Sequence, residues 1–454
     1  MLPSEKDCRA ITDRVLALAK PGNEVSISLS FGQRSNTRFA NNEITTSGAA
    51  ETAGVVVAVT AEARTGRVSL NEYTDAALAG ALQRATELAA VLPADPEYVG
   101  PLAPQKYLPV AAYDSATDKA SAVDRLPGVR AVVEPAAREA MNASGFFSNG
   151  AGVQCIANNA GNFGYFRASE ASFSATARTK EGAGSGWAED SSFRIGDVKV
   201  SALAARALQK ARDSRQAKML EPGDYTVILE PAAVADLMGF NFGAALSARS
   251  AEEGRSYFSK QGGGTLVGEK LFHESVTLRS DPMDSRRPSA PWGGGGGFGG
   301  GGFGGGGGDA GLAAAPITWI EKGVLKNLAY DRYWAKKADR EPTPPLAALA
   351  WDGGKDSLES LISSTDRGLL VTHFWYIRVV NPQTMQLTGL TRDGIWLIEN
   401  GKITSPVMNF RFNESPAVVL SNVLGMTPAV RTGNAIVPAI KAANFTFSSL
   451  SDAV

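Results

Sequence analysis

Metal-assisted hydrolysis needs about three protein ligands converging on one ion, two of them usually a helical turn apart. The chain offers only two histidines, His273 and His373, and two cysteines, Cys8 and Cys155, among 454 residues. His273-Glu274 opens like a zinc-protease motif, but Ser275-Val276-Thr277-Leu278 follows without a second histidine. The stretch LFHESVTL around it reads as a strand. His373 lies in THFWYIR, where an aromatic run predicts a packed or hydrogen-bonded strand residue. These four side chains contain no chelating pair, so no metal ligand is assigned in this chain.

Other chemistries fare no better. A serine triad needs a histidine, and no G-x-S-x-G elbow occurs. Glu252-Glu253 are neighbours on a helix or turn and do not share a face, which makes them poor acid/base partners. GAGSGW (182–187) misses the spacing of a nucleotide loop. The glycine tract 293–308, interrupted by Phe298 and Phe303, lacks the Gly-Lys-Ser/Thr of a phosphate cradle and is expected to be a disordered loop. No catalytic residue is assigned.

The elements that would position any site fall into two parts. Cys8, Ile11, Val15 and Leu18 recur at helical spacing, and Ser4 with Asp7 predicts the helix start. Val25, Ile27, Leu29 and Phe31 alternate with serines as in a half-buried strand, and RFANNEI, TAGVVVAVT and GRVSLN continue a sheet. A helix over about 74–90 closes this unit, and the proline-rich stretch 92–109 reads as a linker. The order then repeats: helical sequence at 117–141 interrupted by Pro127 and Pro135, strands at 144–179, and a helix near 198–213. Ala40-Asn41-Asn42 and Ala157-Asn158-Asn159 mark equivalent turns. Beyond, DYTVILEP predicts a strand feeding one apolar helix, and hairpins are expected at Lys322-Gly323 and Asn400-Gly401. The fold class is therefore α+β: an N-terminal α/β domain of repeated helix-plus-strand units over 1–218, and a β-rich domain over 219–454.

Lys+Arg 45 against Asp+Glu 46 leaves a net charge of −1, with none of the basic excess that direct nucleic-acid binding requires. The amino terminus is an amphipathic helix and not a signal peptide, and no run of about 18 apolar residues suggests a membrane span. Two cysteines make no disulfide framework, which fits a cytoplasmic protein.

Several segments together resemble the TldD/PmbA family, also called modulator of DNA gyrase. They are RFANNEI (38–44), EPGDYTVILEPAAVADLM (221–238), YDRYWAKKADREPTP (330–344) and the long stretch GLLVTHFWYIRVVNPQTMQLTGLTRDGIWLIENGKITSPVMNFRFNES (368–415). The resemblance implies dimers, the well-known form being a heterodimeric cytoplasmic peptidase. Its TldD-like subunit carries zinc on a helical HExxxH motif and a distant cysteine. Where that motif would fall, about Met238 to Ala245, this chain reads MGFNFGAA, and nothing after Cys155 is a cysteine. The pattern is similar to the PmbA/TldE branch. It implies a non-catalytic, metal-free subunit that pairs with a zinc-bearing TldD-like homologue and takes unfolded or leader peptides. The alternative is a homodimeric, peptide- or protein-binding regulatory scaffold. Arg378, Thr391 and Arg392 are then candidates for lining a peptide channel. A plainer reading makes Arg392-Asp393-Gly394 a turn between strands, and leaves Arg378 facing solvent or a polar partner.

Overall fold

Ser4 starts the first helix in the way its spacing to Asp7 predicts: its hydroxyl accepts the Asp7 N–H, and the Asp7 carboxylate accepts the N–H of Ser4. A computed structural model describes residues 2–294, 310–433 and 435–451. Helix α1 (Glu5–Leu16) buries Cys8, Ile11 and Val15. Strand β1 (Glu24–Ala40) turns back into β2 (Glu43–Ala61) through Asn41 and Asn42, both at positive φ, and β3 (Arg64–Leu70) and α2 (Asp75–Val91) follow. Helices α3 (Ser115–Lys119) and α4 (Ala122–Arg138) precede β4 (Met141–Asn158), β5 (Phe163–Thr179), β6 (Ser185–Ser192) and α5 (Val200–Asp213).

The helix–three strands–helix order thus occurs twice. All six strands join one antiparallel sheet in the order β3-β2-β1-β4-β5-β6, so the two units meet where β1 pairs β4. Both helix layers pack on the same face, through clusters around Leu29 and Leu78 and around Phe173 and Leu203. Two details differ from expectation. Helix α4 runs through Pro127 and Pro135, and the break falls instead before Ser121, whose N–H and hydroxyl bond Asp124. Val123, whose carbonyl Pro127 leaves without an N–H partner, is 76% exposed, so water can take its place.

The second part begins with β7 (Gly223–Leu229), then α6 (Pro231–Gly239), α7 (Phe242–Ala245) and α8 (Ala248–Glu252). The expected single helix is these three pieces, because Asn241 adopts a left-handed conformation (φ +62°) between the first two. Strands β8 (Leu278–Ser280), β9 (Ile317–Glu321) and β10 (Val324–Leu325), helix α9 (Arg332–Lys337), β11 (Leu349–Trp351) and α10 (Leu358–Ser363) come next. Then follow β12 (Arg367–Asn381), β13 (Gln386–Glu399), β14 (Lys402–Pro406), β15 (Phe410–Glu414) and α11 (Pro416–Ser421). The last strands are β16 (Val423–Met426), β17 (Val430–Thr432), β18 (Ala435–Val437) and β19 (Ile440–Leu450).

Strands β12, β7, β19, β15 and β13 pair in that order, and β13 pairs back to β12, which closes them into a barrel. Phe374, Phe410, Phe412, Phe445 and Phe447 pack ring against ring within its core, with centroids 4.6 Å apart for Phe374–Phe412 and 4.9 Å for Phe410–Phe447. A smaller sheet, β10-β9-β8-β11-β18-β17, lies alongside. The two predicted hairpins form, with Lys322-Gly323 and Asn400-Gly401 all at positive φ. Residues 295–308 of the glycine tract lie outside the described residues. Its flanks come together where Trp292 bridges Ala313.

Besides the divided helix, two sequence expectations change in this part. His273 lies on an exposed turn ahead of β8, not in a strand, with its Nδ1 2.8 Å from Ser275 Oγ. Arg392-Asp393-Gly394 is not a chain reversal but a bulge inside β13. Two steps along β12, from Val371 to His373, answer three along β13, from Ile395 to Arg392.

Candidate functional site

The face of the first sheet opposite its helices carries polar side chains in register: Ser174 beside Glu189, Thr176 beside Trp187, Arg178 beside Ser185. Helix α5 presses on the other side of β6. A Cβ on Gly186 would come 2.2 Å from the Ala207 carbonyl oxygen, so only glycine lets the helix and strand approach this closely. Strand β6 is thereby held with Ser185, Trp187 and Glu189 presented to the barrel.

From the barrel side, β12 brings His373, the bulge in β13 brings Asp393, and α6 brings Asp236. Asp393 at φ +54° and Gly394 at φ +120° form the bulge, and a Cβ on Gly394 would lie 2.2 Å from the Trp396 ring. This bulge aims Asp393 at the histidine. His373 Nε2 lies 3.0 Å from Asp393 Oδ2, and the Ser185 hydroxyl donates to the other oxygen of that carboxylate. On its far side, His373 Nδ1 is 3.8 Å from Asp236 Oδ2, which accepts the Phe374 N–H at 2.9 Å. The Trp187 ring stacks on the imidazole, 4.3 Å between centroids and 21° from parallel. His373 is therefore the packed, hydrogen-bonded strand residue that its aromatic context predicts.

The electrostatics are uneven. Burial pushes the Asp393 carboxyl up, but the His373 and Ser185 hydrogen bonds and the nearby Arg392 outweigh it and hold the group below the usual carboxylate range. Burial raises Asp236 to about 6, against the opposing pull of His373. Glu189 rises to about 7, through burial first and then the negative charge of Asp236. Beside the cluster, Lys210 of α5 donates to Glu230 at 2.7 Å and to Thr372 at 3.0 Å. Burial depresses Lys210, with Glu230 pulling in the other direction.

This arrangement orients an imidazole between two carboxylates and sets a carboxyl group that titrates near neutrality close by. The two ring nitrogens face different carboxylates on opposite sides of the ring, so both acids cannot join one nitrogen on a single ion. Among the described residues no three His, Cys, Asp or Glu side chains are grouped as metal ligands would be. Cys8 and Cys155 are buried together in the helix-packed core of the first sheet. Along 238–245, Met238, Phe242 and Ala245 point into the core, and Asn241 is the sole polar side chain.

Of the residues expected to line a channel, Thr391 and Arg392 are adjacent on β13 and Arg378 lies on β12, which pairs with it. Thr391 is fully buried, its hydroxyl donating to Asn409 Oδ1 at 3.0 Å and accepting the Phe410 N–H. Arg392 lies over the Trp375 ring at 4.8 Å and 3.6 Å from Asp393. Arg378 lies over the Tyr376 ring at 4.3 Å. Glu252 serves structure, accepting from Tyr330 and Trp334. The cluster residues Glu189, Asp236, Lys210 and Asp393 went unassigned by sequence reasoning. Lys210 did carry a signal, since it continues the apolar stripe of Leu203 and Ala207 at helical spacing.

The fold is that of an α+β protein in two parts, a helix-packed sheet and a strand barrel. Residues 222–449 match the model of the PmbA/TldA metallopeptidase C-terminal domain, and residues 104–215 match that of the central domain. The chain belongs to the PmbA/TldD family. Among solved structures, a proposed modulator of DNA gyrase from Bacteroides thetaiotaomicron aligns with a TM-score of 0.83 at 20% identity, covering 99% of this chain and 100% of that one. A Thermotoga maritima protein of the same description gives 0.82 at 19% identity, covering 97% and 100%. TldE from Thermococcus kodakarensis gives 0.79 at 19% identity, covering 98% of each chain. At these identities the likeness is one of fold. An uncharacterised protein of Methanocaldococcus jannaschii is 28% identical over 143 residues, 31% of this chain and 29% of its own length.

Proposed function

We propose that this chain is the metal-free, non-catalytic subunit of a cytoplasmic two-chain metallopeptidase that processes or degrades unfolded or leader peptides, with zinc held by a TldD-like homologue. One observation carries the reading. The α6–α7 stretch, where a zinc-bearing relative would carry HExxxH, reads MGFNFGAA and is broken by the left-handed Asn241. Zinc chemistry needs imidazole, thiolate or carboxylate donors at fixed spacing, and that stretch supplies none. A second support is that, among the described residues, no helix is long and apolar enough to cross a membrane.

The test is to purify the chain alone and together with the HExxxH-bearing homologue from the same cell, then measure zinc per chain and cleavage of an unfolded peptide. We expect zinc and cleavage only in the mixed complex. Stoichiometric zinc with peptidase activity in the lone chain overturns the reading. A stable homodimer that ignores the homologue instead favours a regulatory scaffold.

A further inference from the structure

Between residues 375 and 380, β12 runs on past the end of β7 with one strand neighbour only. On one edge it pairs β13; on the other, its pairing with β7 ends at Val371, and the Asp236 carboxylate caps the Phe374 N–H. No backbone-to-backbone hydrogen bond outside the β12–β13 ladder involves 375–380 among the described residues. An open edge presents N–H and C=O groups that can pair with another chain, and proteins normally blunt such edges with charge, proline, bulges or cover. A bulge at Tyr376 (φ +55°) and the Arg378 guanidinium on the Ile377 carbonyl interrupt the row here, but no strand covers it among the described residues. Here the edge is rich in apolar surface: Trp375 is 51% exposed, Tyr376 63%, Val379 45% and Val380 54%. Four large apolar side chains exposed within six residues, on a strand lacking a second neighbour, mark an interaction surface.

The charge on this strip narrows what would cover it. Arg378 is the one ionisable cation between 375 and 380; it stacks on Tyr376, donates to the Ile377 carbonyl at 2.7 Å, and pairs with no carboxylate among the described residues. Arg392, stacked on Trp375, adds a second guanidinium, partly compensated by Asp393. A second copy of this chain fits poorly. Antiparallel self-pairing about a two-fold axis on this segment would bring the two Arg378 side chains close together, and like charges facing each other on paired strands are destabilising. We propose that the open edge of β12 over 375–380 is a docking strip for an extended acidic peptide, added as a further strand with its carboxylates on Arg378 and its apolar residues on Trp375, Tyr376 and Val380. Tyr, Trp and Arg are the residue types that most often dominate binding energy, and an ion pair to a stacked guanidinium adds orientation to strand pairing. The strip stands on the strand edge alone and does not depend on zinc, on peptidase activity or on a homologous partner.

The test uses the full chain and a fluorescein-labelled synthetic peptide that alternates valine with glutamate, alongside its glutamine and lysine counterparts. Fluorescence anisotropy should rank them glutamate over glutamine over lysine, with the first step about tenfold or more, as one charge-assisted contact would give. Arg378→Glu should reverse the order of the glutamate and lysine peptides. Because Arg378 is exposed, that variant should melt as the parent does, which checks that it is folded. Methylating alternate backbone nitrogens on the edge of the glutamate peptide that faces β12 should abolish binding, a loss that side-chain attraction alone does not predict. Equal binding of the three peptides, no binding at all, or an unchanged ranking in Arg378→Glu overturns the proposal. So does sedimentation showing a homodimer that Trp375→Ser dissolves, since a second copy then occupies the edge.

Discussion

The Glu189 carboxyl is half-buried with Asp236 and Asp190 as acidic neighbours, while the basic side chains at hand already have partners: His373 hydrogen-bonds Asp393, and Arg431 pairs with Asp190 at 2.8 Å. Ionising it therefore costs more in the folded chain than in the unfolded one. Its titration moves from the ordinary 4.5 to about 7, so the folded state holds a proton that the unfolded state has lost across that window. Stability linked to this group is intact below about pH 4.5, falls as pH rises, and is lost in full above about pH 7. The shift corresponds to roughly 3 kcal/mol at most. Glu189→Gln removes the charge and keeps the shape. In urea unfolding it should match the parent near pH 4 and be more stable at pH 8, by up to about 3 kcal/mol. A pH-independent difference would mean that the carboxyl is not strained by its neighbours. Asp236 follows the same sign between 3.8 and about 6, but its side chain is 34% exposed, so water weakens the effect.

At the scale of elements, the turns that depend on local chemistry were readable and those that depend on strand partners were not. Asn400-Gly401 and Lys322-Gly323 reverse the chain because two successive positive-φ residues suit a two-residue hairpin, whatever lies around them. Asp393-Gly394 carries the same local signal, and its backbone is indeed at positive φ, yet the strand continues. What decides is the ladder to β12 on both sides of the bulge, which lies some 20 residues away in sequence. Likewise the apolar stretch 231–248 predicts one helix, while the left-handed turn at Asn241 divides it. The bulge makes a prediction about its glycine. Gly394→Ala meets both an unfavourable φ of +120° and a Cβ 2.2 Å from the Trp396 ring, which should cost about 2–4 kcal/mol. Gly22→Ala, at φ +84° with nothing within 4 Å of the new Cβ, should cost only about 1 kcal/mol. Chemical denaturation of the two variants separates crowding from backbone strain, and equal losses would show that the bulge yields to the added methyl.

For the whole molecule, the first sheet and the barrel are joined by contacts between residues far apart in sequence. Ser185 reaches Asp393, Trp187 reaches His373, Asp190 pairs Arg431, and Ser191 donates to the Gly433 carbonyl at 3.2 Å. Each is a polar or aromatic residue that looks ordinary in its own segment, which is why the α+β layout could be read from periodicity while the site could not. Lys210 anchors this seam, and its side chain and that of Glu230 are only 11% and 14% exposed. Replacing Lys210 with methionine leaves Glu230 buried without its cation, a loss of about 3–5 kcal/mol. Replacing both, as Lys210→Met with Glu230→Gln, removes the stranded charge and should recover a large part of that loss. If the seam couples the two parts, the single variant should also split thermal unfolding into two calorimetric steps, with amide exchange rising first in β6 and α6. The double variant should restore a single step. Equal stability of the parent and Lys210→Met, or unfolding that stays one-step in the destabilised single variant, would mean that the seam is held elsewhere, with the Trp187–His373 stack as the next place to cut.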